Sequence, residues 1–261
     1  MRGQVWTQDF ETATNGVDYT TSAAEFTDGS GDYFILTDGT NINGSFTNIQ
    51  GTRFFGAQDT DGEGGPSNLT VSFMGINIAG QANLSFSVYL AEDDDGSSQD
   101  WDANSSVIFQ YRIDGGPWNN LIAVEAVGGT NTEPAIDTDF DGVGDGAFIT
   151  DAFTQFSAAI SGTGTTLDIQ VLIEELEAGD EDIAFDDLAI TGTPSTPDPE
   201  PDNHVTGFSA SPLSSSEIEL TWTDATGTNL PSAYLIVATA PGGTFATVVD
   251  GTELSDDLDF S

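Results

Sequence analysis

The chain has 261 residues, with 44 Asp and Glu against three arginines (Arg2, Arg53 and Arg112) and no lysine, for a formal charge of −41. Phosphate-backbone binding rests on Lys/Arg clusters, so nucleic acid is excluded as a partner, and no run is long and apolar enough for membrane insertion. Zero cysteine removes disulfides and thiolate metal sites, so self-repulsion on this scale makes oxygen-bound cations a structural expectation.

With 37% hydrophobic residues and 17 Phe, the chain still has the material for a packed core. Met1-Arg2-Gly3-Gln4 leads straight into a strand-like segment without an apolar signal core, which suggests a mature secreted sequence and an extracellular or cell-surface location. Short alternating apolar runs then follow one another between Gly, Asn, Asp and Ser. They predict strands over 5–10, 33–37, 53–57, 69–73, 82–90, 105–113, 118–126, 153–160, 166–172 and 183–191. Asp114-Gly115-Gly116-Pro117 and Gly162-Thr163-Gly164 supply turns between them. About ten strands over residues 1–192 predict an all-β, two-sheet antiparallel jelly-roll sandwich.

Residues 193–202 hold four prolines and read as an extended linker. Beyond it, Glu217 to Trp222 and Ala233 to Val237 alternate as two further strands. They resemble the second and third strands of a fibronectin type III domain, with Trp222 and Tyr234 as core aromatics. Fewer than about 60 residues remain after Asp202, against roughly 100 for such a sandwich. The expectation is a partial domain over 203–261, either cut from a longer polypeptide or completed by another chain.

Residues 137–146 read DTDFDGVGDG. Asp137, Asp139, Asp141, Gly142, the Val143 carbonyl and Asp145 match positions 1, 3, 5, 6, 7 and 9 of a calcium loop, while Phe148 stands where the bidentate acid belongs. The stretch resembles the acidic loops of thrombospondin type 3 and related extracellular calcium repeats. A solvated acidic turn is the competing reading, since Asp and Gly favour turns without any metal. Two further acidic loops carry Asp59 and Asp61, and Asp93 and Asp95. They are the expected donors of the missing carboxylate.

Glu11 follows Asp9-Phe10 at the end of the first predicted strand, and Asp186-Asp187 lies within the last. The pair resembles the shared ion site of calcium-binding jelly-roll modules, including carbohydrate-binding modules, whose terminal strands pair. That resemblance implies Glu11 and Asp187 as ligands, with Asp186 the alternate one register away. The series Phe54 to Asp59, Leu90 to Asp93, Asp100-Trp101-Asp102, Asp137 to Gly142 and Glu181 to Asp186 is similar to a module of large secreted Bacteroidota proteins. It implies an accessory role beside other domains.

Catalysis finds little support. The single histidine, His204, adjoins the linker, so Ser-His-Asp, Cys-His, Schiff-base and His-ligated zinc chemistry have no residues to draw on within the jelly roll. Glu174, Glu175 and Glu177 are the nearest approach to a carboxylate cluster of the kind glycosidases use, and read better as a strand end. Trp101 in an acidic loop and Trp118, with Tyr33 behind them, are the candidate sugar platforms; a Trp101 that caps the core is the competing reading. The sequence therefore points to a non-catalytic, calcium-stabilised surface or adhesive module, with Ca²⁺ as its cofactor. The alternatives are a polysaccharide-binding module and a filament subunit completed by strands of neighbouring copies.

Overall fold

The computed structural model describes residues 3–62, 64–93, 101–195 and 202–231, together with Tyr234 and Ile236. Contacts divide the chain into two units, Met1–Thr196 and Pro197–Ser261.

The first unit is a two-sheet antiparallel jelly-roll sandwich. Its strands are β1 (Gly3–Gln8), β2 (Thr20–Thr21), β3 (Phe26–Thr27), β4 (Tyr33–Thr37), β5 (Phe54–Gln58), β6 (Asn68–Asn77), β7 (Gln81–Ala91), β8 (Ser106–Ile113), β9 (Asn119–Ala126), β10 (Pro134–Asp137), β11 (Thr154–Ala159), β12 (Thr166–Glu174) and β13 (Asp182–Pro194). One sheet runs β11-β7-β13-β5-β4-β3 with β1 also on β13, and the other runs β10-β9-β8-β12-β6-β2. Alternation sets the faces. In β12, Leu167, Ile169, Val171 and Ile173 are buried while Asp168, Gln170, Leu172 and Glu174 stand on the outer side.

Phenylalanines dominate the space between the sheets. Phe185 stacks on Phe55 at 5.3 Å and meets Phe109 edge-on, while Phe10 packs against Phe73 and Tyr19. Each fully buried ring of this kind contributes about 2–3 kcal/mol in transfer free energy. A second, smaller core lies on the far face of the first sheet, where Ile42, Phe46, Ile49 and Phe153 cover Tyr33, Phe54, Ala91 and Ala184. The segment between β4 and β5 therefore roofs that face.

Strand β13 organises the first sheet. Along one edge it pairs with β5 through Asp182–Phe185 and then with β1 through Leu188–Gly192, while β7 follows its other edge. The change of partner falls at Asp186 and Asp187. There the register to β7 slips and Asp187 takes φ 50°, a conformation uncommon for a residue with a side chain.

Strand ends depart from the expected ones for local reasons. β1 stops at Gln8, because Phe10 turns to φ 57° with its N–H bonded to Gln8 Oε1. β13 runs on through Thr193 and Pro194, opposite Ala82 and Gln81, so the first two residues of the expected linker belong to the sheet. A proline is tolerated at that strand end because it lies where a ladder donor is dispensable. β2, β3 and β10 are too short for a periodic signal.

In the second unit, β14 (Thr206–Pro212) and β15 (Ile218–Thr223) form an antiparallel hairpin. Trp222 meets Tyr234 edge-on at 6.2 Å, and the Tyr234 hydroxyl accepts the Ala225 N–H at 3.2 Å. Most of the strand expected over 233–237 lies outside the described residues.

Candidate metal centres

Strand β10 delivers Asp137 to the start of the acidic loop, and the loop folds around that carboxylate. Asp137 Oδ1 accepts the N–H groups of Asp139 (3.1 Å) and Phe140 (2.7 Å), and Oδ2 accepts that of Gly142 (2.9 Å). Asp141 accepts from Val143 N–H, and Asp145 accepts from both the N–H and the hydroxyl of Thr138. Gly142 sits at φ 90°, where a Cβ would be strained. One ligand oxygen each from Asp137, Asp139 and Asp141 comes within 4.8 Å of the others. The like charge of Asp141, with those of Asp145 and Asp137 behind it, pushes the exposed Asp139 carboxyl above its ordinary range, while the Thr138 bonds hold Asp145 below it. Val143 is exposed on the rim. Carboxylate oxygens keep a second lone pair beside each N–H bond, so this all-oxygen set fits a hard cation.

The other two loops do not join it. Asp59 lies with Asp32 and Asp61, and burial, followed by those two charges, pushes its carboxyl up to about 6. Asp93 donates its N–H to Asp182 Oδ1 at 3.0 Å, and Asp95 lies outside the described residues. The charges acting on Asp139 are Asp141, Asp145 and Asp137, all of its own loop. Among the described residues only Asp137, Asp139 and Asp141 bring ligand oxygens within 4.8 Å of one another, so Asp59, Asp61 and Asp93 do not supply the expected carboxylate in this arrangement. They follow β5 and β7 in one sheet, whereas Asp137 ends an edge strand of the other. An acid outside the loop that Asp137 does affect is one the sequence reading missed, Glu125 on β9, raised to about 7 by burial and then by Asp137 and Glu174.

The second centre occupies the notch where β1 ends and β5 begins against β13. Glu11 Oε1 accepts the N–H groups of Thr52 (2.6 Å) and Arg53 (3.0 Å), and Oε2 accepts the Thr52 hydroxyl (2.6 Å). These bonds keep Glu11 ionised, with its carboxyl below the usual range. Gly51 sits at φ 88°, where a side chain is strained, and a Cβ there would also push the Glu11 carboxylate aside. Asp186 is 0% exposed; its Oδ1 accepts the Asp187 N–H at 2.7 Å, and its Oδ2 has no partner among the described residues. Burial raises its carboxyl to about 8, with Asp187, Glu11 and Asp9 adding like charge. Asp187 is only half-buried and is raised by burial and by Asp9. Of the two register choices the structure buries Asp186, and it adds Asp9, which the sequence reading passed over. An orphaned carboxylate oxygen in an acidic notch suits a cation.

The aromatic candidates separate. Trp101 is 0% exposed and paired to Thr132 through its backbone, so it is no sugar platform; its indole N–H has no partner among the described residues. Tyr33 is equally buried. Trp118 is half-exposed, with the Arg112 guanidinium 4.6 Å above its ring and Arg112 Nε 2.8 Å from Asp168. Beside it a polar row crosses the outer face of the second sheet: Thr20, Ser72, Gln170, Gln110 and Asn120 stand opposite one another on five strands. The clustered glutamates are used structurally. Glu174, Glu175 and Glu177 accept from Ser106, Asn104 and Ser67 respectively.

Fold and site together define an all-β jelly-roll sandwich with two oxygen-lined acidic centres at strand ends. No protein-family model and no curated protein sequence matches the chain. Among solved structures it is similar to a xylan-binding domain from Paenibacillus barcinonensis Xyn10C, at 10% identity and TM-score 0.41, covering 74% of this chain and 97% of that one. The K2 cleaved adhesin domain of Lys-gingipain gives 13% identity and TM-score 0.41, covering 72% and 98%. A cyclase from Fischerella sp. TAU gives 11% and 0.44, covering 75% and 100%. Likenesses this distant decide neither ligand nor activity.

Proposed function

We propose that residues 1–195 form a non-catalytic, calcium-loaded binding module of a secreted or cell-surface protein, with Ca²⁺ at the Asp9/Glu11/Asp186/Asp187 notch and in the Asp137–Asp145 loop. The observation that carries the reading is Asp186, a fully buried carboxylate with an unpartnered oxygen amid three further acids, in a chain without lysine. A carboxylate so placed costs several kcal/mol unless it is neutralised. Calcium neutralises it while clasping the end of β1 to the point where β13 changes partner, so ion binding is coupled to fold stability. Thermal melts in millimolar Ca²⁺ and in EGTA test this. An ion that prefers the native state raises the melting temperature, and identical melts would sink the proposal.

Polysaccharide is the second reading of what the module binds, favoured by the half-exposed Trp118 under Arg112 and the polar row beside it. Affinity electrophoresis through gels cast with soluble polysaccharides checks it. Retardation of the chain that is lost in Trp118→Ala supports this reading, and unretarded migration in every gel counts against it.

A further inference from the structure

At one end of its outer face, the first sheet carries a polar row that neither centre uses. Tyr33 on β4 stands opposite Gln58 on β5, and Gln58 stands opposite Asp182 on β13. Asp93, two residues beyond β7, closes the row through its N–H bond to Asp182 Oδ1. Directly opposed residues share a face with Cβ atoms about 5 Å apart, so the row is contiguous.

It is also dry. Tyr33 is 0% exposed, Asp182 3% and Gln58 4%. The Gln58 amide donates to the Gly179 carbonyl, which fixes its orientation, yet its Oε1 has no partner among the described residues, and neither has the Tyr33 hydroxyl. The Tyr33 ring leans across this face, its Cε2 3.0 Å from where a Cβ on Gly56 would stand, and Asp182 and Asp93 are the charges that reach its hydroxyl. Leaving two such groups buried and unsatisfied destabilises the fold. One added proton on Asp182 satisfies at most one of them. A cation accepts carboxylate, amide and phenol oxygens together.

We propose that Asp182, Gln58 Oε1 and the Tyr33 hydroxyl, with Asp93 beside them, form a third and buried calcium site that ties β4, β5, β13 and the end of β7 together beneath the smaller core. It lies four residues up β13 from Asp186, about 13 Å along the strand, and is a separate site from the notch. The inference rests on calcium being this chain's cation, and the experiment separates the two.

Calcium per chain is counted by atomic emission on the full chain after gel filtration, for the parent, Gln58→Leu, Asp186→Asn and the double variant. The expected result is one ion lost in Gln58→Leu, one lost in Asp186→Asn, and two lost in the double variant. A Gln58→Leu count equal to the parent's, with Asp186→Asn one ion lower, overturns the third site alone. A parent without calcium overturns both readings. Gln58→Glu guards against a variant that fails to fold. An added carboxylate at a cation site enlarges the rise in melting temperature on calcium addition, whereas an equal drop in Ca²⁺ and in EGTA overturns the site.

Discussion

Asp186 and Asp187 are neighbours of one residue type with opposite surroundings: one is sealed with an orphan oxygen, the other is half-open at φ 50°. Asp186→Asn therefore has a signed outcome. In EGTA it removes the cost of a buried carboxylate, so the melting temperature holds or rises; in Ca²⁺ it removes a ligand, so most of the calcium-induced gain disappears. Differential scanning fluorimetry in both buffers reads the sign, and an equal fall in both contradicts the role assigned to Asp186. A pH dependence follows from the same groups. Unfolded aspartates titrate near 3.9, whereas Asp182 and Asp186 in the metal-free fold titrate at about 8. The fold then holds more protons than the unfolded chain across that window, so in EGTA stability is greatest at the acid end and falls as pH rises from about 4 to 8. Glu11 acts the other way, but only as pH falls through its lowered value. Calcium needs the ionised acids, so its increment grows from pH 5 to 8. Urea melts at pH 5 and pH 8 with and without Ca²⁺ check both slopes.

Among the elements, β13 contributes most to the fold, since it pairs with β1, β5 and β7 and supplies Phe185 to the centre of the core. Phe185→Ala should cost about 3–5 kcal/mol by chemical denaturation. The turn entering β5 is the subtler test. Gly51→Ala forces a side chain to φ 88°, costing about 1–2 kcal/mol. It also displaces the Glu11 carboxylate, so calcium affinity should fall together with stability; a stability loss with unchanged calcium titration would detach Gly51 from the notch. The longer strands were legible because alternation registers strongly over five or more residues. β2, β3 and β10 were not, having two to four residues each. The reach of β13 through Pro194 was hidden by a proline that composition assigns to a linker.

On the scale of the molecule, a charge of −41 with three arginines sets the terms. Of those three, Arg112 is paired with Asp168 and Arg53 bonds the Glu11 carbonyl. Screening salt weakens only the exposed repulsion. Sodium chloride should therefore give a gradual rise in melting temperature, and millimolar calcium a larger, saturable one at constant ionic strength. Equal effects at matched ionic strength would mean screening alone.

The sequence by itself determined the β class, the alternating faces, the large excess of acid over base and the acidic composition of the Asp137–Asp145 loop, because each is carried by composition or by residues within one turn of each other. Which acids meet across the chain was decided by tertiary structure alone. The loops of Asp59, Asp93 and Asp137 look alike in sequence but end strands of different sheets or different edges, so they part. Asp9 and Glu11 meet Asp186 only because β13 exchanges β5 for β1 at that point, and Tyr33, Gln58 and Asp182 align only through the register of three strands distant in sequence. Burial completes the distinction, since it separates an aspartate whose charge must be neutralised from one that water already serves.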